Sequence, residues 1–307
     1  MHLAEGMLPM GHAVLFSAAA APALAWSVRG EQTARAADTS PPVMMAGVTS
    51  LLFAATLLPL PVPFVGATSH VCLTPVLALV VGVRRILWPT FFVLLLQAVF
   101  FAHGGITTLG VNTLTLGLAG PLTTVGLWGL MRRLGAGNVL GLGVACGLGS
   151  LSIYVADALV LALALSDLTE PLATFTTVLV GFSPVQAPLG ILEGFVSVGI
   201  VQALASRRPN LLPESLRALR RQAAVISSAS ILLIATFLSA CDYEGIDGSV
   251  FGAVAESAGR PPTDALLDLS QGELGLAMSI IILFGLGFIG GQSWERLSRK
   301  GGDALSR

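Results

Sequence analysis

Charge is scarce in this chain of 307 residues: 11% are Asp, Glu, Lys or Arg, against roughly 25% in soluble domains, and 54% are hydrophobic. With a mean hydropathy of +0.84, an ordinary soluble domain is excluded and an integral membrane protein is expected. Lysine occurs once, at Lys300, following Arg299 in the tail. A Gly-x-x-x-x-Gly-Lys-Ser/Thr phosphate loop is therefore missing, and with it ATP hydrolysis by this chain. Gly-x-Ser-x-Gly and His-Glu-x-x-His are missing too, so no enzyme is expected. The three cysteines, Cys72, Cys146 and Cys241, are odd in number and lack zinc-site spacing, which leaves them as packing residues. No basic residue precedes the first apolar run, so removal of a signal peptide is not expected despite the alanines from Ala18 to Ala25. The net charge of -1 indicates no partner, and no nucleic-acid partner is expected.

What charge there is lies in telling places. Asp38 to Arg84 and Arg85 to Arg132 are each free of internal charge, long enough for two spans of about 20 residues apiece. Further spans read as Ala13 to Val28, Val139 to about Ser166, Pro184 to Ala205, Gln222 to Cys241 and Leu274 to Ser293. The fold class predicted is an all-α membrane protein: a seven-span bundle with an inserted N-terminal segment, plus two further transmembrane helices. With the N-terminus outside and the C-terminus inside, fifteen of the sixteen basic residues fall on the inner side, only Arg260 outside. Three units follow: residues 1–206, a basic inner linker 207–221, and residues 222–307, whose outer loop from Asp242 to Glu273 is acidic.

That topology, built on basic residues alone, puts His2, His70, His103 and Asn112 on one face of the membrane. A free amine followed at once by histidine is a compact chelator, offering the amine, the amide nitrogen of residue 2 and an imidazole. Nickel(II) and copper(II) take four nitrogens in a plane, and a distant imidazole such as His70 would close it. The same dipeptide also arises wherever a start codon happens to precede histidine. Residues 3 to 12 are apolar but broken by Gly6, Pro9 and Gly11, which suits a segment dipping into the protein. His12 reads as interfacial. Pro171, Pro184 and Pro188 predict an interruption near Gln186. Asp157 and Glu193 lie at membrane depth, where an acid has either a hydrogen-bonding or a transport role.

The opening Met-His-Leu-Ala-Glu-Gly-Met-Leu-Pro, the Gly-Ala-Thr-Ser-His70 turn, the run Gln97-Ala-Val-Phe-Phe-Ala-His-Gly-Gly-Ile-Thr-Thr-Leu-Gly-Val-Asn112 and Gln186-Ala-Pro-Leu-Gly-Ile-Leu-Glu193-Gly together resemble NikM and CbiM. These are the nickel and cobalt capture components of energy-coupling factor transporters. The resemblance covers residues 1 to about 205, and the two-helix tail is similar to the small companion subunit, here fused. It implies that Met1 (amine), His2 (amide and imidazole) and His70 hold a transported Co²⁺ or Ni²⁺, with Ser69, His103 and Asn112 orienting them. No permanent cofactor is implied. The partners implied are a transmembrane coupling subunit and cytoplasmic ATPase subunits, in a bacterial cytoplasmic (inner) membrane. The competing expectation is a secondary transporter or channel driven by an ion gradient.

Overall fold

The computed structural model describes residues 2–37, 42–58, 60–62, 67–165, 170–219, 244–246 and 248–265, with 277–278, 281–282, 285–290 and 292–293 from the tail. Met1, Cys241 and the expected span Gln222–Cys241 lie outside the described residues, as does much of Leu274–Ser293. Among the described residues five helices are long and apolar enough to cross a membrane: Met10–Ala36, Val83–Phe100, Leu109–Arg133, Val139–Ala164 and Pro171–Arg207. The all-α membrane class holds, with one small sheet added among the loops.

We number the helices α1 (Met10–Ala36), α2 (Pro42–Leu57), α3 (Thr74–Val81), α4 (Val83–Phe100), α5 (Leu109–Leu114), α6 (Gly120–Arg133), α7 (Val139–Ala164) and α8 (Pro171–Arg207). The first charge-free stretch departs from a hairpin of two full spans. Its second helix, α3, has only 8 residues, because Leu73 (φ +54°) and Gly82 (φ +92°) stop it at both ends. A left-handed residue cannot continue a right-handed helix, and hydropathy carries no trace of it. The second stretch follows expectation, with a wide π turn at Thr115–Ala119 joining α5 to α6.

Helix α8 corrects the expected interruption near Gln186: it runs unbroken for 37 residues through Pro184 and Pro188. A proline ring displaces the hydrogen bond to the carbonyl four residues earlier. For Pro184 that carbonyl belongs to Val180, and the Ser183 hydroxyl donates to it at 2.9 Å. Glycines then let α8 lie close against α7. A Cβ on Gly147 would sit 2.6 Å from the carbonyl oxygen of Gly190, and one on Gly194 would sit 2.6 Å from that of Gly143. Such small-residue contact is how helices associate where lipid gives no hydrophobic drive. At the other side α1 meets α5 through Gly110, whose added Cβ would lie 2.6 Å from the Ser17 backbone. Arg84 and Arg85, in the first turn of α4, also tie helices together. Arg85 Nε donates to Glu31 at 2.8 Å and Arg84 Nε to the Trp26 carbonyl at 2.7 Å, joining α4 to α1.

The small sheet lies among the loops. Strand β1 (Leu60–Val62) pairs antiparallel with β2 (Ala67–Ser69), and β2 pairs parallel with β3 (Glu244–Gly245) from the far end of the chain. Strand β2 leads straight into His70.

Candidate metal centre

The N-terminal segment does dip into the protein. His2, Leu3, Glu5, Met7 and Leu8 are all buried. Gly6 turns the chain with φ +82°, a conformation that costs other residues more. The docking is made mostly with backbone atoms. Asn112 grips Leu3 from both sides, its Oδ1 accepting from the Leu3 N–H at 3.0 Å and its Nδ2 donating to the Leu3 carbonyl at 3.1 Å. Thr108 donates to the same carbonyl. Two residues on, the Glu5 carboxylate accepts from the backbone of Ile106 (2.7 Å) and Thr107 (3.2 Å) and from the Thr107 hydroxyl.

A segment from the end of the chain covers the N-terminal one. The Thr263 N–H donates to the Glu5 carbonyl at 3.1 Å, and Arg260 Nη2 donates to the carbonyls of Gly6 (3.1 Å) and Leu8 (2.9 Å). Phe251 packs against Phe182 of α8 with centroids 4.4 Å apart and the rings tilted by 51°, fixing this segment to the bundle.

His70 is held from inside the bundle. The Glu193 carboxylate accepts from the backbone N–H groups of Cys72 (3.0 Å) and Leu73 (2.8 Å) and from the Ser150 hydroxyl (2.8 Å). The hydrogen-bonding role expected of this acid is what the geometry displays. Gln186 Nε2 donates to Ser69 Oγ at 2.9 Å, fixing the residue before His70. Nδ1 of His70 lies 3.5 Å from the Val71 carbonyl oxygen, which favours a proton there and a lone pair on Nε2.

His103 follows α4 in a tight bend. Ala102 (φ +47°) and Gly104 (φ +85°) flank it, and its N–H donates to the Gln97 carbonyl at 3.2 Å. The bend brings three imidazoles together. Ring centroids are 5.1 Å apart for His2 and His70, 4.4 Å for His2 and His103, and 5.4 Å for His70 and His103. One ligand atom from each lies within 4.8 Å of the others. Both ring nitrogens of His2 and Nε2 of His103 are buried without a hydrogen-bond partner among the described residues. Each such orphan costs about 1–3 kcal/mol, a cost that an ion among the rings would remove.

Burial, then the neighbouring His103, holds His2 well below the ordinary 6.5; burial likewise holds His70 well below it and takes His103 to about 3. The rings are therefore neutral at physiological pH, the state in which imidazole binds a metal.

Of the residues singled out in the sequence, His2, His70 and His103 converge, Ser69 and Asn112 touch their supports, and His12 stays out of the cluster on α1. Sequence reasoning missed Glu5, Thr108, Gly105, Arg260 and Thr263. Glu5 left a signal as the acid within the apolar opening, and Arg260 left one as the single basic residue off the expected inner side.

Comparison with known proteins bears on family and fold. The family described as cobalt uptake substrate-specific transmembrane region, CbiM, matches residues 2–211. The chain is 34% identical over 310 residues to the cobalt transport protein CbiM of Geobacter sulfurreducens, covering 97% of this chain and 90% of that one. It is 39% identical over 215 residues to the cobalt transport protein CbiM of Sorangium cellulosum, covering 69% and 94%. In fold it resembles a truncated transition metal transporter solved by crystallography, with a TM-score of 0.56 at 22% identity, over 67% of this chain and 99% of that one.

Proposed function

The chain belongs to the CbiM family of cobalt uptake substrate-specific transmembrane regions, and on that premise we propose that its outer histidine cluster is where the ion is captured. The ion is Co²⁺, with Ni²⁺ as the alternative. Its ligands are the Met1 amine, the amide nitrogen and imidazole of His2, and the imidazole of His70. Asn112 fixes the chain next to His2 by gripping Leu3, while Ser69 and Glu193 fix the chain on either side of His70. The observation that carries this reading is the set of three imidazoles, His2 and His70 buried and His103 half-buried, with ligand atoms within 4.8 Å of one another.

The chain acts as the capture component of an energy-coupling factor importer. A transmembrane coupling subunit and cytoplasmic ATPase subunits supply the energy that this chain, lacking a phosphate loop, does not. It sits in the bacterial cytoplasmic membrane with its N-terminus outside and C-terminus inside. Residues 222–307 are a fused companion unit, whose segment 244–265 bears on the N-terminal loop through Arg260 and Thr263.

Equilibrium dialysis of the C-terminally tagged protein against radioactive cobalt tests this. His2→Ala and His70→Ala abolish bound metal, and His12→Ala leaves it nearly intact. Residues added before Met1 abolish it too, because they turn the amine into a peptide nitrogen. Stoichiometric metal on the His70→Ala protein would remove the reading. One observation favours a gradient-driven carrier instead: Asp157 is a fully buried acid within the membrane-spanning helix α7. Uptake into proteoliposomes separates the two, since the importer needs its ATPase subunits and the carrier does not.

A further inference from the structure

We propose that His103 is itself a ligand, a third imidazole that makes the site five-coordinate and selects cobalt(II) over nickel(II). This rests on the capture reading above and replaces the orienting role that the sequence suggested for His103. Orienting a ligand requires a hydrogen bond to it. Nε2 of His103 makes none among the described residues, nor does either ring nitrogen of His2, although the two rings are only 4.4 Å apart. A buried nitrogen that close to a metal-binding group, with no partner among the described residues, is placed as a donor to an ion.

The backbone holds it there. Ala102 has φ +47°, where an L-residue is disfavoured by roughly 1–2 kcal/mol. A Cβ on Gly104 would lie 3.4 Å from His2 Cβ and 3.4 Å from Asn112 Nδ2, so the bend is packed directly against the N-terminal chain. Strain kept next to a candidate ligand fits a functional constraint better than a passive loop.

Ring orientation separates His103 from the other two. The planes of His2 and His70 are 24° apart, whereas that of His103 is turned 84° from His2 and 64° from His70. The amine, amide and two imidazoles of the capture reading fill a plane, and a third imidazole set across the first two serves as the axial donor. A fifth donor divides the candidate ions by electron count. Planar low-spin nickel(II), with eight d electrons, has a filled orbital along the axis and repels an axial donor. Cobalt(II), with seven, has that orbital half filled and accepts one. With four planar nitrogens alone the affinity order runs from cobalt up through nickel to copper, so a cobalt site needs a feature that works against that order.

The test uses the full chain with a free N-terminus and a C-terminal tag, loaded with cobalt(II) and examined by X-ray absorption. The expected wild-type spectrum has scattering from three imidazoles and lacks the edge shoulder that marks planar four-coordination. In His103→Leu one imidazole is lost and the shoulder appears. In competition dialysis the preference for cobalt over nickel falls about tenfold or more, the lower end of what disturbing even a ligand's supports costs in metal affinity. A planar, two-imidazole spectrum from the wild type overturns the proposal whether or not the variant folds, as does an unchanged cobalt-to-nickel ratio in a folded His103→Leu protein. If the wild type binds neither ion, the capture reading itself fails, a result distinct from planar binding.

Discussion

Glu193 lies on α8, far in sequence from any histidine, and replacing it should empty the metal centre. Its carboxylate is 1% exposed and accepts three hydrogen bonds, from Cys72 N, Leu73 N and Ser150 Oγ. Hydrogen bonds to a charged group contribute about 1.5–3 kcal/mol each, and Glu193→Ala removes all three. Leu73 is held at φ +54°, a conformation about 1–2 kcal/mol uphill that relaxes once the tether is gone. The loss far exceeds the ~1.4 kcal/mol that shifts an equilibrium tenfold. Because His70 stands two residues before Cys72, relaxation of this loop moves an imidazole out of the cluster. Cobalt affinity should then fall at least the roughly 10- to 100-fold seen when a ligand's support is removed. Glu193→Gln, which keeps the shape but turns an amide NH₂ toward a backbone donor, should fall between. Equilibrium dialysis with radioactive cobalt reads the affinity, and size exclusion in detergent reports folding. Wild-type affinity in a folded Glu193→Ala protein would refute the tether argument.

Gly105→Ala should cost most of the bound cobalt, because its Cβ would lie 2.7 Å from the Glu5 backbone nitrogen and 2.8 Å from its Cα, neither of which can swing aside. Gly126→Ala on α6, with nothing within 4 Å of the added atom, should bind as the wild type does in the same dialysis. The metal-free protein should also lose stability as pH falls from about 7 to 5. Folded His2, His70 and His103 sit below the ordinary 6.5, His103 at about 3, so in that window the unfolded chain binds more protons. Each histidine contributes a slope of up to about 1.4 kcal/mol per pH unit. Thermal unfolding followed across that range should show a smaller slope in His103→Gln, and equal slopes would count against the buried neutral state.

The helices were legible because hydropathy and arginine placement report the bilayer directly, as α4, α7 and α8 illustrate. Backbone dihedrals and individual hydrogen bonds were not. Nothing in the letters Cys-Leu-Thr-Pro tells that Leu73 is left-handed and α3 correspondingly short. Two prolines inside α8 read as a break, yet Ser183 supplies the missing donor to Val180. Glu193 stood out as an acid within a span, but two of its three partners lie 120 and 121 residues away and are main-chain groups, which any sequence would offer. His103 was visible as a histidine on the correct face. Its approach to His2 depends on the bend at Ala102 and Gly104, which only coordinates reveal.

The opening residues and the run ending at Asn112 belong together. Leu3 presents its N–H and carbonyl to this run, so it is Asn112 and Thr108 that must offer the matching amide and hydroxyl. Glu5 contributes its carboxylate, and the other side answers with the backbone of Ile106 and Thr107. Gly105 lies between these contacts, where any side chain would meet the Glu5 main chain. Each identity in one segment thus answers a requirement of the other: an amide at 112, a hydroxyl at 108, no Cβ at 105, an acid at 5. A change on one side is tolerated only with a compensating change on the other, and His2, one residue before Leu3, reaches the remaining imidazoles only while all four hold.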